Sequence, residues 1–418
     1  MLISDKINKK LINKEEIQNN IFILNRVMKK LLIVMNNLDG GGAEKLLIKL
    51  LEKLNKNKYD ITLFLLNNEG IYLKELKKIR KIKFSYLTNE INKEEKFYKL
   101  KKIIHKLKKL YFCLFPNDIF RKKLGENRYD IGIAYLEGVT TLFLSNLKTC
   151  KKKIAWVHTD LKKHRILNKY LEKRAYKKID NIVCVSNDSK FSMKKLYPEL
   201  NEKIEVIYNP VDKEEIIYNA NKEKINIFNK EKINLISIGR LIKAKGYDIL
   251  LQAHNSLVKE GLDYNLYILG EGKERKKMEK YIEEHNLEEN TFILGFKKNP
   301  YPYLKEADIF ISSSRYEGYS LVVAEALCLG KPIIATKSTG PCELLENGKY
   351  GILSEIENVL DLKKKMKELV VNEKIRKEYS ILSNERSKIF DIDKKIKEIE
   401  RKIDEEWRKD LLSWKHNK

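Results

Sequence analysis

Glu317 and Glu325 are the residues of this chain best placed to do chemistry together. They sit in DIFISSSRYEGYSLVVAEALCLGKPIIATKSTGP, from Asp308 to Pro341, which reads as strand, loop, helix, strand. Asp308 to Ser312 is an apolar run of buried-strand type. Ser320 stands where a helix cap belongs, and Leu321, Val322, Ala324 and Leu327 follow at helical spacing until Gly330 stops the helix. Lys331 to Thr336 returns as a second strand. Glu317 is then in the loop, and Glu325 lies about 7.5 Å of helix rise beyond the cap. Two acids at that spacing beside a helix N-terminus suit a polar ligand that carries a phosphate and several hydroxyls.

Cations that match such a ligand occur upstream. Arg240 follows the apolar run INLISIG and Lys245 precedes the helical pattern GYDILLQAHNSLVKE, so both can meet one anion at a strand end. A solvated loop is the competing reading for Lys243 or Lys245 taken singly. His158 closes the apolar run Ile154 to Val157, at the kind of strand end where ligands of open α/β sheets collect, and a purely structural histidine fits equally. Gly40, Gly41 and Gly42 stand between the strand LLIVM and the helix LLIKLLEKL. Bare backbone there can approach a phosphate or sugar, or can simply close a tight bend. Gly270, Glu271 and Gly272 form a similar turn, near a ligand or plain. Asp391 and Asp393 give a DxD spacing, but they precede IKEIERKIDEEW and are better explained as caps of the last helix.

These residues need a scaffold, and the hydrophobic pattern supplies one. LLIVM, ITLFLL, YDIGIAYL, KKIAWVHTD, NIVCVSND and IEVIYNPVD read as strands, many ending in polar loops. After the polar stretch 213–231 a second series begins with INLISIGR, YNLYILGEGKER and FILGF. This is an α/β chain in two parallel-sheet halves. The expected division is an extension at 1–27, a first domain at 28–215, a second at 216–390 and a final helical segment at 391–418. Residues 1–27 precede MKKLLIVMNN, which itself looks like a protein start, so they are either a true extension or the product of an upstream start.

The stretch Lys96 to Phe112, KFYKLKKIIHKLKKLYF, places Leu100, Ile103, Ile104, Leu107 and Tyr111 on one helical face with lysines around the other. Such a helix either lies on an anionic membrane or packs its apolar stripe on the sheet.

With 418 residues, 43% of them hydrophobic, the chain can bury real cores. Its net charge of +26 suits nucleic acid, anionic lipid or an acidic substrate. The lysines are nonetheless spread among glutamates, and no compact nucleic-acid motif accompanies them. Five cysteines without CxxC spacing or a histidine cluster argue against a disulfide framework or zinc site and for a reducing compartment. No run approaches the roughly 20 apolar residues of a membrane span, and the amino terminus lacks a signal-peptide core. A cytoplasmic protein is expected, with contact at the inner face of the membrane left open.

The two α/β halves, the glycine loop, the strand-end histidine, SIGRLIKAKG, and the Glu-x7-Glu of SRYEGYSLVVAEALCLGKPIIAT together resemble the retaining glycosyltransferases of family 4, group 1, with the GT-B fold. STGPCELLENGKYG fits members that build bacterial surface polysaccharides, lipopolysaccharide and lipid-linked oligosaccharides. The likeness runs from Met28 to about Phe390. It implies two facing Rossmann-like, doubly wound domains, with acceptor on the first and donor on the second, and a C-terminal helix that crosses back to the first. It implies transfer of a hexosyl or N-acetylhexosaminyl group from a nucleoside-diphosphate sugar, UDP-sugar favoured and GDP open, to a glycan or lipid-linked acceptor.

By the same resemblance Arg240 and Lys245 stabilise the departing diphosphate, helped by backbone amides at Ser320, Leu321 and Val322. Glu317 contacts hydroxyls of the transferred sugar and Glu325 those of the ribose. His158 lies near the sugar, Gly41 and Gly42 near the diphosphate and acceptor, and Gly239 joins the donor site beside Arg240. Two cations in that role leave no need for a metal or other cofactor. The resemblance has the acceptor attack from the leaving-group face, so neither glutamate is a nucleophile, in contrast to the double displacement of retaining hydrolases. A sugar-nucleotide epimerase of the same fold is the nearest alternative, and a basic nucleic-acid-binding protein is another.

Overall fold

The structure is a computed structural model that describes residues 28–39, 41–89, 98–162 and 165–416. The extension 1–27 and Gly40 of the glycine loop lie outside the described residues. In the first sheet, β1 (Lys29–Met35), α1 (Gly42–Lys53) and β2 (Tyr59–Asn68) follow directly from the run LLIVM, the glycine turn and ITLFLL. Leu31 to Met35 are all buried, as a strand covered on both faces must be. Then come β3 (Ile82–Asn89), α2 (Tyr98–Leu114), α3 (Pro116–Leu124), β4 (Tyr129–Ala134), β5 (Cys150–Val157), β6 (Asn181–Cys184) and β7 (Ile204–Val206). The strand order is β3-β2-β1-β4-β5-β6-β7, with β1 parallel to both β2 and β4.

The second sheet holds β8 (Ile233–Ile238), followed by α4 (Tyr247–Lys259), then β9 (Tyr264–Leu269), β10 (Thr291–Gly295) and β11 (Ile309–Ser312). After β11 come α5 (Leu321–Cys328), β12 (Ile333–Thr336) and β13 (Ile352–Ser354). Its order is β10-β9-β8-β11-β12-β13, parallel throughout. Leu250, Leu251 and Leu257 of α4 pack with Leu235, Leu266, Ile309 and Ile311 of the strands in one buried core. Both sheets are doubly wound, and in each the order turns back beside the first strand, between β1 and β4 or between β8 and β11. Loops diverge to opposite faces at such a switch point and leave a crevice at the strand carboxyl ends.

The chain divides into two compact units. One takes the described residues up to Trp156, Ile166–Ile182 and those from Glu400, and the other takes Val157–Arg165 and Val183–Ile399. The last helices are α6 (Glu373–Arg386) and α7 (Ile392–His416). The part of α7 from Glu400 belongs to the first unit, where Asp404 lies 2.6 Å from the Nζ of Lys29 and accepts from the Tyr59 hydroxyl at 2.9 Å. Asp391 accepts from the Lys394 amide at 2.9 Å, so it caps α7.

Three local expectations change. The polar stretch from 213 holds a helix, Lys213–Ala220, whose N-cap Asp212 accepts from the Glu215 amide at 3.0 Å. Ser320 occupies the cap position of α5, yet its hydroxyl makes no capping bond, and only its carbonyl enters the helix, accepting from the Ala324 amide at 3.1 Å. Finally, α2 does not pack its apolar stripe on the sheet. Its inward side carries His105, Lys109 and buried Cys113 at i, i+4, i+8, and polar partners on the sheet draw that side in.

Candidate active site

The crevice at the switch point of the second sheet collects most of the predicted residues. Arg240 leaves the end of β8 in a turn held by backbone on both sides. The Gly239 amide donates to Leu269 O at 2.9 Å and the Leu241 amide to Glu271 O at 2.8 Å. The turn Gly270–Gly272 is therefore structural as well as close to the site. A β-carbon on Gly270 would stand 1.9 Å from the Gly239 carbonyl oxygen. The Arg240 side chain is exposed, so its guanidinium points outward with its donors accessible.

Lys245 ends a short 3-10 turn, Lys243–Lys245, closed by Gly246 in the left-handed conformation (φ 64°). Only glycine fits here, because a β-carbon would lie 2.1 Å from the Ser313 carbonyl oxygen. The same approach lets the loop after β11 bond to this turn: the Ser313 hydroxyl donates to Lys245 O at 2.9 Å and the Arg315 amide to Ala244 O at 2.8 Å. The Arg315 side chain completes the strap. It grips Asp248 with two parallel bonds of 2.8 and 2.7 Å, donates to Lys243 O at 2.6 Å, and reaches Glu357 at 2.6 Å. The guanidinium bonds hold the Asp248 carboxyl below the usual carboxylate range.

This strap brings Lys245 and Glu317 together. The Lys245 ammonium pairs with Glu317 Oε1, which also accepts from the Ser314 hydroxyl at 3.0 Å. The side chains are 23% and 16% exposed, so the pair is partly desolvated but open on one side. The family resemblance gives these two residues different parts of a ligand, and the structure puts them in direct contact. A cation and an anion in contact form a dipolar surface, able to meet an anionic group at the ammonium and hydroxyls at the carboxylate.

The amides of Ser320, Leu321 and Val322 open α5 immediately after this loop. Gly340 seats the loop from below, its amide donating to Glu317 O at 3.0 Å, with room for no side chain: a β-carbon would be 2.8 Å from the Ser320 nitrogen. Glu325 is 7% exposed, one turn further on, and accepts from the Tyr301 hydroxyl at 2.8 Å. At its far end α5 is closed by Gly330 (φ 63°), with Gly330 N bonding Leu327 O and Lys331 N bonding Ala326 O, both at 3.0 Å. The carboxylate of Glu325 therefore rides on a short helix fixed at both ends.

His158 follows β5, and its segment Val157–Arg165 belongs to the second unit. Its backbone lies against Gly318, where a β-carbon would be 2.1 Å from His158 O. In the first unit Gly41 is the N-cap residue of α1 and Gly42 its first helical residue, and the Glu44 carboxylate lies over Gly41, 2.2 Å from where a β-carbon would stand. Arg315, Gly246, Gly318 and Gly340 were missed. The signal for Gly246 was present, a glycine between a basic turn and a helix. Nothing local to SSSRYEG marks Arg315 as the strap, because its partners are Asp248 and Glu357. Among the described residues no group of three or more histidine, cysteine or acidic side chains is arranged to hold a metal ion.

Residues 40–215 match the family model Glycosyltransferase Family 4, and residues 219–385 match Glycosyl transferases group 1. A Campylobacter jejuni N-acetylgalactosamine-N,N'-diacetylbacillosaminyl-diphospho-undecaprenol 4-alpha-N-acetylgalactosaminyltransferase is 32% identical over 227 residues, 54% of this chain and 60% of that protein. A poly(ribitol-phosphate) alpha-N-acetylglucosaminyltransferase of Staphylococcus aureus is 33% identical over 184 residues, 43% of this chain and 37% of its own length. The chain thus matches 60% of the length of the first of these curated relatives and less of the second. Among solved structures, Anabaena HepE in complex with UDP and glucose is similar in fold, with a TM-score of 0.69 at 19% identity over 90% of this chain and 99% of that one. The two family models account for nearly everything between residues 40 and 385, each on one of the two sheets, and the chain belongs to the family 4, group 1 glycosyltransferases, with the GT-B fold.

Proposed function

We propose that the chain is a retaining glycosyltransferase that moves a hexosyl or N-acetylhexosaminyl group from a UDP-sugar to a hydroxyl of a glycan or lipid-linked acceptor. The acceptor is handled by residues 28–215 and the donor by 216–390, at the inner face of the cytoplasmic membrane in surface polysaccharide assembly. The observation that carries this reading is the switch-point constellation of Arg240, Lys245 and Glu317 beside the open amides of α5. The names of the Campylobacter and Staphylococcus relatives support a polyprenyl-linked or polymeric acceptor, and the UDP in the Anabaena complex supports the base.

In this reading the anomeric carbon's bond to the diphosphate breaks while the acceptor oxygen bonds to the same face. Negative charge grows on the departing diphosphate, where Arg240, Lys245 and the amides of Ser320, Leu321 and Val322 stabilise it, with no metal required. The acceptor proton passes to a departing phosphate oxygen. Glu317 holds hydroxyls of the sugar as it becomes oxocarbenium-like, and Glu325 holds the ribose. His158 lies near the sugar, while Gly41, Gly42 and Gly239 let backbone come close to the diphosphate.

A thermal-shift screen against UDP-, GDP- and ADP-sugars tests it. A donor at 100 times its Kd adds about 2.7 kcal/mol to stability. The UDP-sugar is expected to raise the unfolding temperature, and Glu325→Gln to weaken its binding by about 1.5–3 kcal/mol. A chain that responds to no nucleotide sugar would sink the proposal.

A further inference from the structure

The feature left unexplained by donor chemistry is α2, in the first unit. At 100° per residue, Leu100, Ile103, Ile104, Leu107 and Tyr111 fall within about 100° of arc. All five are exposed, Leu107 by 62%. Phe115, just past the helix, is 63% exposed, and its ring centroid is 5.3 Å from that of Tyr111. The opposite side is polar and turned inward: His105 Nε2 hydrogen-bonds with Asn67 Oδ1 at 3.2 Å and Thr88 Oγ1 at 3.3 Å, and the Lys109 ammonium donates to Asn36. An ordinary surface helix does the reverse. An apolar stripe held outward by polar contacts on its back is a surface made to be covered.

Charge identifies what covers it. From Tyr98 to Lys123 there are nine lysines and arginines against one acidic residue, Asp118. Lys102, Lys106 and Lys108 on α2 and Arg121, Lys122 and Lys123 on α3 are exposed. On the helical wheel Lys106 and Lys108 fall on either side of the apolar arc, where lysine stems extend along an apolar surface and their ammoniums reach outward. A second copy of this chain would bring like charges face to face, which disfavours self-association. Among the described residues no helix is long and apolar enough to cross a membrane, so contact is with a surface.

We infer that α2 is a docking helix that lies in the headgroup layer of an anionic bilayer, with Leu100, Ile103, Ile104, Leu107, Tyr111 and Phe115 entering the acyl boundary and the flanking lysines binding lipid phosphates. Asn36, Asn67 and Thr88 lie at the carboxyl ends of β1, β2 and β3, so the same helix sets that sheet edge against the headgroups. The inference rests on the proposed function only in supplying a reason for the docking, a lipid-linked acceptor.

The test is cosedimentation of the full chain with vesicles of phosphatidylglycerol mixed with phosphatidylcholine, and with phosphatidylcholine alone. Salt-sensitive binding to the anionic vesicles is expected. Lys106→Gln and Lys108→Gln should each weaken it about fivefold, and Ile103→Ser with Leu107→Ser at least tenfold. These side chains are exposed, so thermal unfolding and any nucleotide-sugar shift should be unchanged, which separates a docking defect from a folding or donor-site defect. Equal binding to both vesicle types, or anionic binding that neither set of variants weakens, would overturn the inference. So would a dimer in light scattering that the serine pair makes monomeric, because the stripe would then belong to a second copy. Vesicle binding that persists when no nucleotide sugar shifts the protein leaves the docking intact and removes the catalytic reading alone.

Discussion

The two sheets share one strand order, yet the loops at their switch points are held by different means. After β8 and β11 the chain is packed backbone on backbone: Gly246 against Ser313, Gly270 against Gly239, Gly340 against Ser320. After β1 one such close glycine approach occurs, Gly70 against Leu38, with backbone bonds from Leu38 N to Glu69 O at 2.9 Å and from Asn67 N to Asn36 O at 2.8 Å, and side chains add to them. Lys109 reaches Asn36, and the Asn37 amide donates to Asp39 at 2.6 Å and Glu69 at 3.0 Å. Backbone packing gives one geometry that few substitutions tolerate. A side-chain network can be retuned residue by residue.

The sharpest way to break that contrast is Gly246→Ala. A left-handed alanine costs about 1–2 kcal/mol and overpacking against Ser313 about 1–3 more. Urea unfolding should therefore show a loss of about 2–5 kcal/mol, and a loss below about 0.5 would mean the loop is not locked. Next, Lys245→Ala and Glu317→Gln in a double-mutant cycle should show coupling of about 1–2 kcal/mol in unfolding, whereas additivity would show that the pair contributes nothing.

Arg315→Gln should cost less, about 1 kcal/mol at neutral pH, because Asp248 and Glu357 are more than half exposed. Its pH dependence has a definite sign. Arg315 depresses the Asp248 carboxyl, so the stabilisation is full above the unfolded carboxylate pKa of about 3.9 and is lost as pH falls through the lower folded value. The deficit of the variant should close in acid, and a deficit that grew there would contradict the assignment. Smallest of all, Asn37→Ala in the first unit should stay within about 0.5 kcal/mol by the same measurement. A larger loss would erase the distinction between the two halves.

Much of this was legible beforehand, for a physical reason. Buried parallel strands leave continuous apolar runs, and the loops at their carboxyl ends must follow them, so Arg240, Lys245 and Glu317 could be placed in loops between strand and helix, and Glu325 a turn into α5, from pattern alone. What stayed hidden was non-local. Pairing of Lys245 with Glu317 depends on a strap between segments about 70 residues apart, made by Gly246 and Arg315. The direction of α2 was equally hidden, since periodicity finds two faces of a helix without saying which one the sheet takes. Polar partners at Asn67, Thr88 and Asn36 settled that, and they come from three different strand ends.

The contact between Lys29 and Asp404 bears on how the chain is made. Lys29 is 2% exposed, and its ammonium lies 2.6 Å from Asp404 and 4.4 Å from the centre of the Trp407 ring. Its partner is 375 residues away. During synthesis the first sheet is complete long before Asp404 leaves the ribosome, and until then β1 carries a cation it must keep hydrated or bury uncompensated. The first unit therefore reaches its final packing only after the second has been translated, and a chain cut short before α7 would fail first at its amino-terminal strand.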